Sequence, residues 1–159
     1  MKVRLITVGK LKEKYLKQGI AEYKKRLQRY TKWEMIEVAD EPTPEQASEK
    51  EEAQIKVIEG KRILSHIKPD DFVFVLAING DLMTSETFAH TIEQATIHGK
   101  STIDFVIGGS LGTSPAVDQR ADQLVSFGHM TFPHQLMRLI MSEQIYRAFR
   151  IMNHEPYHK

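Results

Sequence analysis

An open α/β sheet carrying helices on both faces is the fold the sequence predicts, and three observations lead to it. Short apolar runs (Val3 to Val8, Phe72 to Ile78, Phe105 to Ile107, Leu124 to Phe127) alternate with longer segments of helical periodicity. The later runs are continuous rather than alternating, which suits strands of a parallel sheet covered on both sides. Glycines follow closely on the strand ends, at Gly9, Gly80, Gly108-Gly109 and Gly128. At 159 residues the chain fits a single domain, residues 1–159, with a core of ordinary size.

Composition narrows the function. There is no cysteine, so disulfides and thiolate metal sites are excluded. No apolar run approaches the roughly eighteen residues of a membrane helix, and the sequence opens on a strand pattern, so no membrane partner and a cytoplasmic location are expected. The formal net charge of +1 conceals segregation along the chain.

The first strand, Val3 to Val8, is predicted to turn Val3, Leu5 and Val8 inward and to end at Gly9. Leu16, Ile20, Tyr23, Leu27 and Tyr30 then recur at steps of four and three, forming one apolar stripe of a helix. Between Lys10 and Lys32 stand nine Lys or Arg residues against Glu13 and Glu22. A basic stripe interleaved with tyrosines is an electrostatic footprint for a polyanion, although a merely solvated face has the same composition.

Trp33, Met35 and Val38 alternate with polar residues and predict a second strand, broken off at Asp40-Glu41-Pro42-Thr43-Pro44. From Asp40 to Glu59 seven acids face only Lys50 and Lys56, which reads as a solubilising acidic surface that RNA avoids, leading into a helix that buries Ala53, Val57, Leu64 and Ile67. No His or Asp pattern accompanies these acids, so no metal site is expected. After the turn at Lys68-Pro69-Asp70-Asp71, the Phe72 run is predicted as a central strand; Asn79-Gly80 after it reads as a turn, or Leu76 to Gly80 as another wall of the pocket. Thr84 or Ser85 can cap the next helix and Gly99 can close it; Ser114-Pro115 starts a short one.

Gly108-Gly109-Ser110 after one strand, and Gly128-His129-Met130-Thr131-Phe132-Pro133 after the next, form two loops with little steric cover. A Gly-Gly pair alone also serves a tight turn, but small molecules bind open α/β sheets outside the carboxyl ends of the strands, and two such loops reinforce each other. The glycine spacing fits neither the dinucleotide fingerprint nor a P-loop. Thr131 is predicted to cap the last helix, with Pro133 in its first turn. Leu136, Met137, Leu139, Ile140, Ile145, Tyr146 and Phe149 cover so much of that helix that packing on a second copy of the chain is expected, burial within one chain being the alternative.

The strings FVIGGSLG, MTFPHQLMR and SEQIYRAFRI, the terminal YHK and the N-terminal VGKLKEKYLKQGIAEYKKRL together resemble the ribosomal RNA large subunit methyltransferase H family of the SPOUT superfamily, over nearly the whole chain. That resemblance implies a SPOUT-type knotted open sheet with a C-terminal trefoil knot. It implies a cytoplasmic homodimer that uses S-adenosylmethionine, with no metal, to methylate N3 of a pseudouridine in 23S rRNA within the assembled ribosome. Carried over by position, it makes Leu76, Gly108, Phe127, Gly128, His129, Met130, Thr131 and Phe132 the methyl-donor contacts. It gives the tail to the substrate side, plausible across the dimer, with Tyr157 stacking on a base, His158 bonding it or relaying a proton, and Lys159 meeting a phosphate.

Arg138, two turns into the last helix, is a candidate to hold a phosphate or base edge. N3 of a neutral base carries a hydrogen, so His158 and Glu143 are candidate bases, although Glu143 and Arg147 are also spaced for a structural ion pair. Gly128-His129 and Thr113 depart from the family's commonest wording, where serine-lysine and a hydrophobe are expected. Two rival functions remain: a knotted methyltransferase acting on tRNA, and a ribosome-binding protein without catalysis that uses the basic helix alone.

Overall fold

A computed structural model describes the whole chain, residues 1–159. Five strands, β1 (Lys2–Val8), β2 (Lys32–Val38), β3 (Phe72–Leu82), β4 (Thr102–Ile107) and β5 (Gln123–Ser126), alternate with five helices. The helices are α1 (Lys14–Leu27), α2 (Glu49–Leu64), α3 (Ser85–Ile97), α4 (Pro115–Arg120) and α5 (His134–Met152). The strands form one sheet in the order β2-β1-β4-β3-β5, and every pairing is parallel. No helix is long and apolar enough to cross a membrane.

Both faces of the sheet are buried, as the continuous apolar runs require. On one face Val3, Leu5, Phe74, Ile103 and Phe105 join residues of α1, α3 and α5, with the Phe74 and Phe105 rings stacked 4.8 Å apart. On the other, Ile6, Val8, Val73, Val75 and Val106 pack on Ile63 of α2 and Val117 of α4. Central strand β1 therefore buries both sets of side chains from Val3 to Val8, one more set than an alternating strand would.

Local chemistry fixes the helix ends. Ser48 and Glu51 form a reciprocal capping box at α2, Thr84 caps α3 through the Thr87 N–H, and Ser114 caps α4 ahead of Pro115. Gly99, at φ +89°, closes α3 while the Lys100 N–H returns to Ala95.

Several expectations are corrected. Helix α2 buries Ile55, Glu59, Gly60 and Ile63, while Ala53 and Val57 are exposed. The buried stripe runs through a carboxylate, and of the four residues expected inside only Leu64 and Ile67 pack, partly buried, against the core. Asn79-Gly80 does not end β3. The strand continues to Leu82 around a bulge, with both Leu76 and Asp81 registered on Val125. Gly80 is required there because a Cβ would stand 2.8 Å from the Val125 backbone. Thr131 does not cap α5, which begins at His134 after Pro133 without a side-chain cap. The wide apolar band of α5 is covered inside one chain by α1, α3 and the sheet, so it does not by itself call for a second copy.

Candidate functional site

The order of the strands determines where clefts open. Strands β1 and β3 pass their chains to α1 and α3 on one face, whereas β4, lying between them, passes its chain to α4 on the other. A crevice therefore opens on each side of the carboxyl end of β4, the place where open α/β sheets bind small molecules.

The crevice between β4 and β3 is a groove of about 380 Å³, within the usual range of ligand sites. Leu76 to Asn79 of the β3 bulge form one wall and Ile107 to Thr113 the other, while Thr131, Phe132, His134 and Met137 close it. It continues into a smaller apolar pocket between Leu76, Ala77 and Ile78 and the β5 exit at Phe127, Gly128 and Met130. The structure thus brings Leu76, Gly108, Phe127, Gly128, Met130, Thr131 and Phe132 together from three strand exits. His129, between Gly128 and Met130, is exposed and lines neither space. Ala77, Ile78 and Ser110, from the stretches Leu76 to Gly80 and Gly108 to Ser110 expected as walls, also line these spaces, as do His134 and Met137, which were missed.

The glycines have specific reasons. A Cβ on Gly108 would meet the Gly112 carbonyl at 2.7 Å, and one on Gly109 would meet Glu59 Oε1 at 3.0 Å. The Gly112 N–H bonds the Gly109 carbonyl at 3.0 Å, so Gly109 to Gly112 is itself a tight turn. Both readings of the glycine pair therefore hold, since the loop packs on itself and also walls the groove. Gly128 lies at φ +112°, in the region that favours glycine, and Ser126 Oγ accepts its N–H at 3.1 Å. Glycine at this departure from the family wording is thus matched to the backbone, and Thr113 donates to Asp118.

Arg138 does not face the groove. It is completely buried, donating to Glu37 Oε2 at 2.7 Å and to the carbonyls of Val8 and Gly9 at 2.8 and 2.9 Å. Burial lowers its pKa, against Glu37, which raises it. The guanidinium ties α5 to the exits of β1 and β2, with its donors turned to these groups rather than to the groove.

The C-terminal tail is held rather than frayed. His154 takes φ +55°, and the His154 and Glu155 N–H groups return to Ile151 and Arg150, turning the chain back along α5. Glu155 then accepts from Tyr30 and pairs with Arg150, and the Tyr157 ring packs edge-on against Tyr146 beneath Arg147. Arg147 donates to Glu143 Oε1 at 2.6 Å and also contacts His158 Nδ1 at 3.1 Å, while His158 Nε2 lies 2.6 Å from Glu86. Glu143, Tyr157 and His158 are thus gathered around Arg147, and Lys159 ends exposed beside them. None of the four lines the groove of its own chain.

The nine cations between Lys10 and Lys32 are all exposed. No grouping of His, Cys, Asp and Glu suited to a metal ion occurs.

Comparison with known proteins bears on this geometry. Residues 1–158 match the family described as predicted SPOUT methyltransferase. The chain is 61% identical over 159 residues to a protein of Enterococcus faecalis, 63% to one of Streptococcus thermophilus and 62% to one of Bacillus pumilus. Each alignment covers 100% of both chains, and each relative is named ribosomal RNA large subunit methyltransferase H. Similarity of that extent, over a parallel sheet whose strand exits close one groove, makes the chain a member of the ribosomal RNA large subunit methyltransferase H family of SPOUT methyltransferases.

Proposed function

We propose that the protein transfers a methyl group from S-adenosylmethionine to N3 of a pseudouridine in 23S rRNA, acting as a homodimer on the assembled ribosome in the cytoplasm. The observation that carries the donor assignment is the convergence of three strand exits on one groove whose lining is mostly apolar side chain and open backbone.

The residues present suit that donor. Leu76, Ile78, Phe127, Phe132 and Met137 offer contact for an adenine ring and a thioether chain, while the backbone around Gly108 and Gly128 offers peptide groups for polar edges. Bound there, the donor supplies an electrophilic sulfonium methyl. What remains for the protein is to fix the line of attack and to keep water out. The trefoil knot typical of the superfamily is part of this proposal, and the all-parallel order β2-β1-β4-β3-β5 is compatible with it.

The tail supports the dimer. Tyr157, His158 and Lys159 stand away from the groove of their own chain, so a substrate role for them requires a groove on another. In that arrangement His158 of the tail and Glu143 of α5, gathered around Arg147, are the candidates to accept the N3 proton. The exposed cations of α1 suit rRNA phosphates, and Lys10 and Lys12 continue that charge to the carboxyl edge of the sheet.

Methyl transfer from labelled donor to intact ribosomes, free 23S rRNA and tRNA tests the reading. Label in intact ribosomes is expected; label in tRNA alone contradicts the substrate, and no label with no donor binding contradicts the activity.

A further inference from the structure

The second crevice, between β4 and β1, is larger and chemically different. It measures about 630 Å³ and is lined mainly by polar residues from the β1 and β2 exits, α2 and the Gly109-Ser110 turn. It shares Gly109, Ser110 and His134 with the groove assigned to the methyl donor, so the two spaces are contiguous.

Its acids are not equivalent. Glu37 accepts the Leu11 N–H and Arg138, both on Oε2, and Glu41 pairs with Arg62 through Oε1, so both are held by cations. Asp40 has no hydrogen-bond partner. Glu59, only 5% exposed, accepts the Glu41 N–H on Oε2 at 3.0 Å, while its Oε1, toward Gly109, accepts nothing. Together with Asp40, Glu59 Oε1 gives the cleft acceptors that no protein donor occupies. Burial raises the Glu59 pKa, and the nearby Asp40 charge adds to that rise.

We infer that this cleft seats the target pyrimidine, with the carboxylates of Asp40 and Glu59 accepting its N1–H and leaving N3 to the methyl donor and the proton acceptor. The inference rests on the reading of the chain as a pseudouridine N3-methyltransferase. Pseudouridine presents N1–H, C2=O and N3–H in sequence along one edge, a donor, an acceptor and a donor. Uridine lacks the first, because its N1 carries the ribose. The two carboxylates complement the N1–H that uridine lacks, and the Ser110 hydroxyl at the junction of the spaces is available to the C2 carbonyl beside it. A phosphate is disfavoured inside by Asp40, Glu41 and Glu59, whereas Lys10 and Lys12 at the rim suit the backbone of the same nucleotide. A site that hydrogen-bonds an N–H rejects the analogue lacking it, because the acceptor is then left buried and unpaired.

The test measures kcat/KM of full-length protein on ribosomes carrying pseudouridine or uridine at the target, for the natural sequence, Asp40→Ala and Glu59→Gln, with S-adenosylmethionine affinity by calorimetry. Asp40 is exposed, so its truncation leaves the core intact. Both variants are expected to lose about tenfold or more on pseudouridine ribosomes with donor affinity unchanged, and at least one to shrink the preference over uridine by a similar factor. Unchanged kcat/KM in both variants, equal losses on both ribosomes in both variants, or a matching loss of donor affinity would overturn the inference. Failure of the natural protein to bind donor or methylate any ribosome would instead overturn the proposed function.

Discussion

Arg138 of α5 and Glu37 of β2, 101 residues apart in sequence, meet at 2.7 Å across the carboxyl edge of the sheet. The same guanidinium gathers the carbonyls of Val8 and Gly9, so one side chain fastens the last helix to two strand exits. Replacing Arg138 by Met leaves these acceptors unpaired. A loss of about 2–3 kcal/mol in chemical denaturation is expected, towards the low end for a broken buried pair because the Glu37 side chain is 31% exposed. Lysine cannot reproduce the three bonds and should rescue little.

The turn that walls the groove gives a second test. A Cβ on Gly108 would lie 2.7 Å from the Gly112 carbonyl group, so Gly108→Ala must open the Gly109 to Gly112 turn. Calorimetry should show donor affinity weakened by about tenfold or more, roughly 1.4 kcal/mol, with the sheet retained by circular dichroism. Unchanged affinity would remove this loop from the donor site.

The basic face of α1 is tested by salt. Lys17 and Lys24 are both exposed and lie two turns apart. If each meets a phosphate, replacing both by Ala should weaken ribosome binding and lower the slope of log affinity against log salt by about 0.7 to 0.9 per lost contact. A merely solvated face would leave that slope unchanged.

A buried cluster at the opposite end of the sheet predicts a pH dependence. Arg4 Nε donates to Asp104 Oδ1 at 2.7 Å and its Nη2 to Asp71 Oδ2 at 3.0 Å. Burial above all, with Asp71 adding to it and Arg4 opposing it, pushes Asp104 up to about 7. Between its ordinary value near 4 and 7 the folded state therefore holds a proton that the unfolded state has released, so this group's contribution to stability falls as pH rises. Asp71, shifted down, acts in the opposite sense only below its ordinary value. Denaturation of the natural protein and of Asp104→Asn between pH 5 and 8 should differ in slope by up to about 1.4 kcal/mol per pH unit below pH 7. Parallel curves would contradict the shift.

Much of the architecture was legible because it rests on patterns the chain repeats. Buried β-branched runs marked the strands, and Ser114-Pro115, Thr84 and Gly99 marked helix ends by local chemistry. Most of the groove proposed for the donor was legible too, because its walls are strand exits carrying glycine and apolar residues. What escaped depends on distant partners. Glu59 was read as part of a solvated acidic surface because nothing near it in sequence shows that the Glu41 N–H and the Gly109 turn cover it. Arg138 was read as a ligand for substrate because Glu37, Val8 and Gly9 lie more than a hundred residues away. Asn79-Gly80 was read as a strand end because a bulge inside a paired strand uses the same residue types as a turn.

The central claim is that the exits of β3, β4 and β5 hold the methyl donor. A crystal structure of the protein with bound S-adenosylmethionine tests it most directly. The account predicts the adenosyl group between Leu76 to Asn79, Gly108 to Thr113 and Phe127 to Phe132, with its methyl directed to the Asp40 and Glu59 cleft; donor density at any other place would contradict it.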